Sequence, residues 1–229
     1  MMWMWVLFKE FYFVLKTVVV SPRSFFPIEW KKPKGKTPVL LIHGYLNRAS
    51  IWLYMGKKLS KKDFGSIYTL NLKKPLSSIE EFAKQIKEKA KQIEKKEGTN
   101  KLIIVAHSMG GLASLYYALH LTENQNLKLI TLGTPFKGTA MGALGIGKCA
   151  KQMKRDSAFL KELQGSYKKN KSLDLYHIAT KKDQIILPYT SCFISSDKNR
   201  HYLLDNIGHM ELVYIKAVFK KMAYWINCD

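Results

Sequence analysis

The chain has 229 residues, of which 47% are hydrophobic. This length fits one folded domain, which can bury a substantial core without disulfides or metal ions. The three cysteines, Cys149, Cys192 and Cys228, are widely scattered. They match neither a metal-ligand spacing nor a disulfide framework, although a single bridge stays open. We therefore expect no metal and no other cofactor.

The net charge of the chain is also informative. Lys and Arg number 38 against 17 Asp and Glu, which gives a formal net charge of +21 at pH 7. Such a surface attracts polyanions, among them nucleic acids, acidic polysaccharides and anionic bilayers. The sequence contains no nucleic-acid-binding motif, and many lysines fall on the polar face of one predicted helix. No nucleic acid is expected as a partner, whereas an anionic membrane surface stays a candidate.

Residues 1–20 are apolar and rich in aromatic side chains, but Lys9, Glu10 and Lys16 interrupt them. They lack a positively charged start and a small-residue cleavage site, so no cleavable signal peptide is predicted. Three charges within the segment disfavour a membrane span. Its broad apolar face is typical either of a helix lying in the membrane interface or of an element packed on the domain. A location in the cytoplasm or at a membrane surface stays open.

A proline-containing linker over residues 21–36 is predicted to join this segment to a main domain, which gives a division into residues 1–36 and 37–229. In the main domain strands and helices alternate, which predicts an α/β fold with a mainly parallel sheet of about six strands and helices on both faces. The strands are predicted near residues 38–42, 66–70, 102–106, 128–132, 173–179 and 200–204. The helices are predicted near residues 49–62, 78–97, 109–121 and 211–226.

Residues 138–171 lie between two predicted strands and begin with a glycine-rich stretch. Lids are commonly inserted at this place in such sheets. A mobile lid is therefore one interpretation of the segment. The alternative is a plain connection with one or two short helices.

One strand-to-helix turn carries the strongest chemical signal. Residues 102–111 read Leu-Ile-Ile-Val-Ala-His-Ser-Met-Gly-Gly, so that a buried strand runs through a small-x-Ser-x-Gly turn into a helix. A serine hydroxyl becomes a nucleophile only when a base removes its proton and the turn lifts it clear of the backbone. Ala106 and Gly110 are the small neighbours that such a turn needs, and Gly111 lets the helix begin close to the sheet. Ser108 is therefore the candidate nucleophile.

A nucleophilic serine needs a histidine, and in this architecture the chain order is serine, acid, histidine. We assign His209, because Gly208 before it permits a loop that carries the ring over the sheet edge. His201 is a weaker candidate at the entry to the last predicted strand. His120 and His177 fit structural positions in a helix and a strand.

Asp183 is the predicted acid. It follows a strand that ends near Thr180, and a carboxylate at that position points into the crevice at the carboxyl edge of a parallel sheet. Its alternative role is that of a turn or helix-capping aspartate. Asp205 is the rival acid and is closer to His209 in sequence. It lies on the histidine loop itself, however, where it cannot easily reach the far imidazole nitrogen.

A second strand ends in the sequence His-Gly-Tyr at residues 43–45. The glycine allows the backbone to turn so that the N–H of Tyr45 faces the site. This N–H and that of Met109, at a helix N-terminus directly after the nucleophile, are the predicted oxyanion-hole donors. We expect His43 to brace this loop and His107 to point away from the serine hydroxyl.

These motifs together resemble the α/β-hydrolase superfamily, and more narrowly its bacterial lipase and esterase branch, which is triacylglycerol lipase-like. Residues 106–111 resemble the nucleophile elbow of small bacillus-type lipases. Residues 132–139, Leu-Gly-Thr-Pro-Phe-Lys-Gly-Thr, are similar to the segment after the next strand in many lipid hydrolases, and residues 152–163 resemble a third segment of that group. The resemblance covers about residues 37–226 and implies an α/β-hydrolase catalytic domain.

The motifs and the resemblance predict a serine hydrolase that cleaves carboxylic esters, lipid or acylglycerol esters foremost. Ser108, Asp183 and His209 would form the triad, and the reaction would pass through an acyl-enzyme. A thioesterase or an acyltransferase would use the same triad with another leaving group or acceptor. The alternative from another class is a noncatalytic basic membrane-binding module on a hydrolase scaffold. The presence of all three triad residue types disfavours that alternative.

Overall fold

The computed structural model describes residues 26–33, 35–124, 126–170 and 173–228. Our predictions for residues 1–20 fall outside the described part of the chain. Within the described part, no helix combines the length and the apolar character needed to cross a bilayer. All three cysteines lie in this part of the chain, and none of them forms a disulfide.

The described residues form one sheet of seven strands. The strands are β1 (Glu29–Trp30), β2 (Val39–Ile42), β3 (Ile67–Leu70), β4 (Leu102–His107), β5 (Leu127–Leu132), β6 (Asp174–Thr180) and β7 (His201–Leu204). Their order across the sheet is β1-β3-β2-β4-β5-β6-β7. Strands β2 to β7 all run parallel to one another, and β1 pairs antiparallel with β3. The central strands β2 and β4 are buried along their whole length and are aliphatic except for His107 at the end of β4, as a parallel sheet covered on both faces requires.

Helices cover both faces of the sheet. The α-helices of the described residues are α1 (Leu53–Ser60), α2 (Ile79–Glu97), α3 (Met109–His120), α4 (Lys148–Gln152), α5 (Ala158–Lys169) and α6 (Lys216–Asn227). Helices α1 and α6 pack on one face, and α2, α3 and α5 pack on the other. The core therefore consists of two apolar layers with the sheet between them.

Helix α2 shows how the local sequence sets an element. The Ser78 hydroxyl caps its first turn by accepting the N–H of Glu81, and Gly98, with φ +68°, ends it in the left-handed conformation. Its buried side chains recur at helical spacing, and they are Ile79, Phe82, Ala83, Ile86, Ala90 and Ile93. The lysines of this helix occupy the other face, so this charge run belongs to a helix side that faces away from the core.

The fold prediction is confirmed. Each of the six predicted strands has a counterpart among β2 to β7, and every strand end lies within one residue of its predicted position. The seventh strand, β1, lies inside the stretch that we predicted as a linker. The predicted helix over residues 211–226 is divided into a 3-10 turn at Met210–Val213 and α6. The segment over residues 138–171 contains α4 and α5, and its motion as a lid stays a prediction.

Candidate active site

Ser108 lies in a sharp turn between β4 and α3. Its φ of +54° and ψ of −128° are rare for a residue with a side chain, and such strain persists only where the surroundings enforce it. Its N–H donates to the carbonyl of Leu132 at 2.8 Å, and its carbonyl accepts the N–H of Gly111 at 2.9 Å. The hydroxyl of Thr134 donates to the same carbonyl at 3.0 Å. These contacts hold Ser108 at the carboxyl edge of the sheet, where 6% of the residue is exposed.

The small residues of the turn are required by close packing. A Cβ atom on Gly110 would collide with the backbone carbonyl of His43, and one on Gly111 would collide with the side chain of Thr134. The two glycines therefore let α3 approach β2 and the loop after β5. This is the physical reason for the small-residue pattern that marked the turn in the sequence.

Asp183 and His209 form a buried pair next to this turn. The Nδ1 atom of His209 lies 2.8 Å from Oδ2 of Asp183. The other carboxylate oxygen accepts the N–H groups of Ile185 at 2.9 Å and Ile186 at 2.7 Å. Asp183 is fully buried and His209 is 3% exposed. Because a carboxylate only accepts, Nδ1 donates to it, and the lone pair of the neutral ring lies on Nε2.

The His209 ring lies beside the serine turn. Gly133 directly follows Leu132, whose carbonyl accepts the Ser108 N–H. A Cβ atom on Gly133 would lie 3.0 Å from Cε1 of His209. The ring centroid of His107 is 4.6 Å from that of His209. The structure thus brings the three predicted triad residues together at the carboxyl edge of the sheet.

Three contacts around the histidine loop were not identified from the sequence. The side-chain oxygen of Gln184 accepts the N–H of His209 at 3.3 Å, and a carboxylate oxygen of Glu211 accepts the N–H of Gly208 at 2.8 Å. The ring Nε2 of His107 lies 3.2 Å from the carbonyl oxygen of His209. The spacing of a glutamate three residues after Gly208 resembles a capping box and could have indicated the second contact.

The loop that carries the predicted oxyanion donor Tyr45 packs directly on the serine. A Cβ atom on Gly44 would lie 2.8 Å from Cβ of Ser108. His43 braces this loop, since its Nδ1 donates to the carbonyl of Gly44 at 2.8 Å and its Nε2 accepts the N–H of Leu72 at 3.0 Å. Burial lowers the pKa of His43 to about 4, so the ring is neutral at pH 7.

The second predicted oxyanion donor, Met109, is the first residue of α3. Its N–H belongs to the unpaired first turn of a helix, where the helix dipole favours negative charge. Tyr45 and Met109 therefore flank Ser108 from two different elements. Their role as oxyanion-hole donors stays a prediction.

The alternative candidates for the acid and the histidine lie outside the Asp183–His209 pair. The side chain of Asp205 is 63% exposed and pairs with Lys181 at 3.0 Å. His201 packs against His177, with 5.3 Å between their ring centroids. His177 is fully buried within the sheet, and burial lowers its pKa to about 3. His120 lies on the exposed side of α3.

This edge thus holds a serine in a sharp turn and, beside the turn, a histidine that is paired with a buried carboxylate. Residues 26–228, apart from the short gaps given above, contain no cluster of three or more His, Cys, Asp or Glu side chains that could hold a metal ion. The fold and this arrangement define an α/β-hydrolase.

The chain belongs to the family described as alpha/beta hydrolase of unknown function (DUF915), whose family model matches residues 51–206. A search of curated protein sequences found no match.

Solved structures with a similar fold include bacterial and fungal lipases. The mature form of Bacillus licheniformis lipase BlEst2 has a TM-score of 0.76 at 14% identity, with 89% of this chain and 98% of that chain covered. Aspergillus fumigatus lipase B has a TM-score of 0.69 at 17% identity, with 81% and 51% covered. A membrane phospholipase A, described as a bacterial virulence factor, has a TM-score of 0.60 at 15% identity, with 88% and 81% covered. At these identities the similarity shows the fold.

Proposed function

We propose that this protein is a serine hydrolase that cleaves carboxylic esters of lipids or acylglycerols. The observation that carries the proposal is the strained Ser108 beside a buried pair in which His209 Nδ1 lies 2.8 Å from Asp183. A carboxylate that fixes the imidazole leaves Nε2 as the base for a serine hydroxyl. Lipid esters are favoured because proteins with the same fold include two lipases and a phospholipase.

In the proposed reaction, Oγ of Ser108 attacks the ester carbonyl carbon while Nε2 of His209 takes the hydroxyl proton. Asp183 stabilises the resulting imidazolium. The carbonyl oxygen becomes an oxyanion and accepts hydrogen bonds from the N–H groups of Tyr45 and Met109. Collapse breaks the bond to the alcohol oxygen, which receives the proton from the imidazolium. Water then attacks the acyl-enzyme by the same route, which releases the acid and restores the serine.

The partner that fits this substrate is an anionic membrane surface. Lipid esters are concentrated in bilayers, and the net charge of +21 attracts acidic headgroups. The charge thus brings the protein to the place where such a substrate occurs.

The nucleophile is tested by covalent labelling with a fluorophosphonate. Ser108→Ala should abolish labelling and lower kcat on an activated ester by several orders of magnitude, because the triad acts as a unit. Ser60→Ala, at the end of α1, is the matched control and should label and turn over like the wild type. An active Ser108→Ala variant, or labelling that persists in it, would contradict the proposed mechanism.

The substrate class is tested with p-nitrophenyl esters from acetate to palmitate, next to an acyl thioester and an alcohol acceptor. A lipid esterase should show kcat/KM that rises with acyl chain length. Turnover of short esters alone would restrict the function to small esters. Preference for the thioester, or acyl transfer to the alcohol in place of water, would favour the thioesterase or the acyltransferase.

A further inference from the structure

Exposed apolar side chains are concentrated at one edge of the molecule. Ten large apolar side chains are more than a third exposed among the described residues, and seven of them lie on loops that follow β2, β3, β5 and β6. We call these seven the apolar rim: Leu46, Leu76, Met141, Leu144, Ile146, Ile185 and Leu187. All four loops leave the carboxyl ends of their strands, which is the edge that carries the serine turn. Leu144, at 77%, and Ile146, at 63%, are the most exposed members.

Hydrogen bonds connect these loops to one another. The hydroxyl of Tyr45 donates to the carbonyl of Ile146 at 2.8 Å and accepts the N–H of the same residue at 3.1 Å. The carbonyl of Leu76 accepts the first N–H of α4 at 2.9 Å, and that of Leu187 accepts the N–H of Ala140 at 3.4 Å. The loop after β5 is therefore tied to each of the other three. The seven exposed side chains thus lie on adjacent loops at one edge, and exposed apolar side chains grouped in this way on a protein surface indicate an interaction site.

The same loops are strongly basic. Residues 43–48, 71–77, 133–156 and 181–188 contain ten cationic side chains, which are Arg48, Lys73, Lys74, Lys137, Lys148, Lys151, Lys154, Arg155, Lys181 and Lys182. Their carboxylates are Asp156 and Asp183, and the second is buried against His209. An apolar patch with cations around it is complementary to an anionic lipid surface, which offers acidic headgroups above an apolar interior.

The direction of β1 adds an independent observation. Because β1 runs antiparallel to β3, with Glu29 opposite Tyr68, the chain before β1 leads towards the carboxyl end of β3. Ile28 confirms this direction, since its N–H donates to the hydroxyl of Thr69 at 2.6 Å and its carbonyl accepts the N–H of that residue at 3.0 Å. The described chain thus enters β1 from the edge that carries the apolar rim, with Phe26, which is 72% exposed, at its start.

We propose that the carboxyl-edge face, made of the apolar rim and its basic loops, lies on an anionic bilayer with the serine turn directed towards the lipid. The apolar side chains enter the interfacial layer, and the cations contact acidic headgroups. Neither contribution anchors a protein strongly alone, and together they do. The proposal rests on the proposed function only in that this orientation presents a lipid ester to Ser108. Binding itself does not depend on catalysis.

The apolar part is tested by flotation of the full-length chain with phosphatidylcholine vesicles, with and without phosphatidylglycerol. Leu144→Glu should lower partitioning onto the mixed vesicles about tenfold or more, because it replaces an inserted apolar group by a charge. Tyr224→Glu is the matched control, since Tyr224 is 61% exposed on α6, and its neighbour Trp225 contacts Lys128 at the opposite edge of the sheet. Equal binding by the Leu144 variant and the wild type would overturn the proposal.

The charged part is tested with two charge reversals of equal size. Lys148→Glu with Lys151→Glu should lower binding to the mixed vesicles more than tenfold, whereas Lys61→Glu with Lys62→Glu, near the other end of the domain, should have a much smaller effect. Each pair changes the net charge equally, so overall attraction is matched. Equal losses from the two pairs would show that diffuse charge acts without a preferred face, and would contradict the proposal.

Orientation is tested on the same full-length chain with an environment-sensitive fluorophore at an introduced cysteine, in a Cys228→Ser background because Cys149 and Cys192 are buried. A label at position 144 should shift to the blue when mixed vesicles are added, and a label at position 224 should not. Vesicle binding without a shift at position 144 would overturn the proposed face. Soluble-ester turnover by the wild type is measured alongside: its absence contradicts the proposed function, whereas vesicle binding and the shift report on the face alone.

Discussion

The side chain of His107 contacts the backbone of His209, with Nε2 3.2 Å from the carbonyl oxygen. A carbonyl only accepts, so Nε2 carries the proton, and Nδ1, which has no hydrogen-bond partner among the described residues, carries the lone pair. Burial and the neighbouring His209 hold the pKa of His107 well below its usual value. A neutral His107 ring therefore supports the proposed base without repelling the imidazolium that forms on it in the proposed reaction.

This contact predicts that His107 is a positioning residue. His107→Phe keeps a flat ring but removes the hydrogen bond, so the His209 loop should lose alignment and kcat on a soluble ester should fall about tenfold, with KM little changed. His107→Gln retains a donor and should recover part of the loss. Stopped-flow or steady-state kinetics check the split between kcat and KM. Wild-type kcat in the Phe variant, or equal losses in both variants, would argue against this role.

The acid assignment predicts different effects for two aspartates. Asp183→Asn keeps an oxygen for the N–H groups of residues 185 and 186 but turns an N–H towards Nδ1 of His209, which forces the proton onto Nε2 and removes the base. The kcat should fall by about 10⁴, as for the same substitution in a serine protease. Asp205→Asn removes only an exposed ion pair with Lys181 and should change kcat little. Reversed results would transfer the acid role to Asp205.

The long strands and the serine turn could be predicted because their signals are local. An aliphatic run followed by Ala106, Ser108 and Gly110 specifies a buried strand and a turn without knowledge of the rest of the chain. The chain order of acid and histidine then narrowed the remaining choices. Strand β1 has only two residues, too few for a periodic pattern. It is held by tertiary contacts, among them the packing of the Trp30 ring on Gly56.

The support around the candidate base could not be predicted for a related reason. His107 and His209 are 102 positions apart, and nothing in the local sequence of either residue indicates the contact between them. The same holds for the apolar rim, since an exposed leucine in a loop has no signature until the fold shows which loops share an edge. Local patterns therefore indicated the candidate reacting groups, whereas the contacts that position these groups followed only from the three-dimensional arrangement.

The packing of the serine turn predicts opposite effects for two glycine substitutions. Gly110→Ala places a Cβ atom against the backbone carbonyl of His43, which cannot move without shifting the loop of Tyr45. The free energy of unfolding should fall by about 2–4 kcal/mol. Gly165→Ala, on α5, meets no atom within 4 Å and should raise it by about 0.5–1 kcal/mol through helix propensity. Urea denaturation measures both. A tolerated Gly110→Ala would show that the turn is not closely packed.

Buried neutral histidines predict how stability depends on pH. Burial lowers the pKa of His43 to about 4 and that of His177 to about 3, from 6.5. Below about pH 6.5, these two histidines therefore bind protons in the unfolded chain but stay neutral in the folded chain. The stability due to these neutral rings is fully present above that pH and is lost as the pH falls towards the folded-state pKa values. Each ring contributes a slope of about 1.4 kcal/mol per pH unit in that window.

His177→Gln tests this relationship, because glutamine stays neutral at every pH and can still contact the Thr131 hydroxyl, which lies 3.0 Å from the His177 ring. As the pH decreases from about 6 to about 4, the free energy of unfolding of this variant should fall less steeply than that of the wild type. The two slopes should differ by about 1.4 kcal/mol per pH unit. The exposed His120 supplies the control, and His120→Gln should keep the wild-type slope. Urea denaturation across this pH range gives the slopes. Parallel curves for the wild type and His177→Gln would mean that the folded protein protonates His177 as readily as the unfolded chain does.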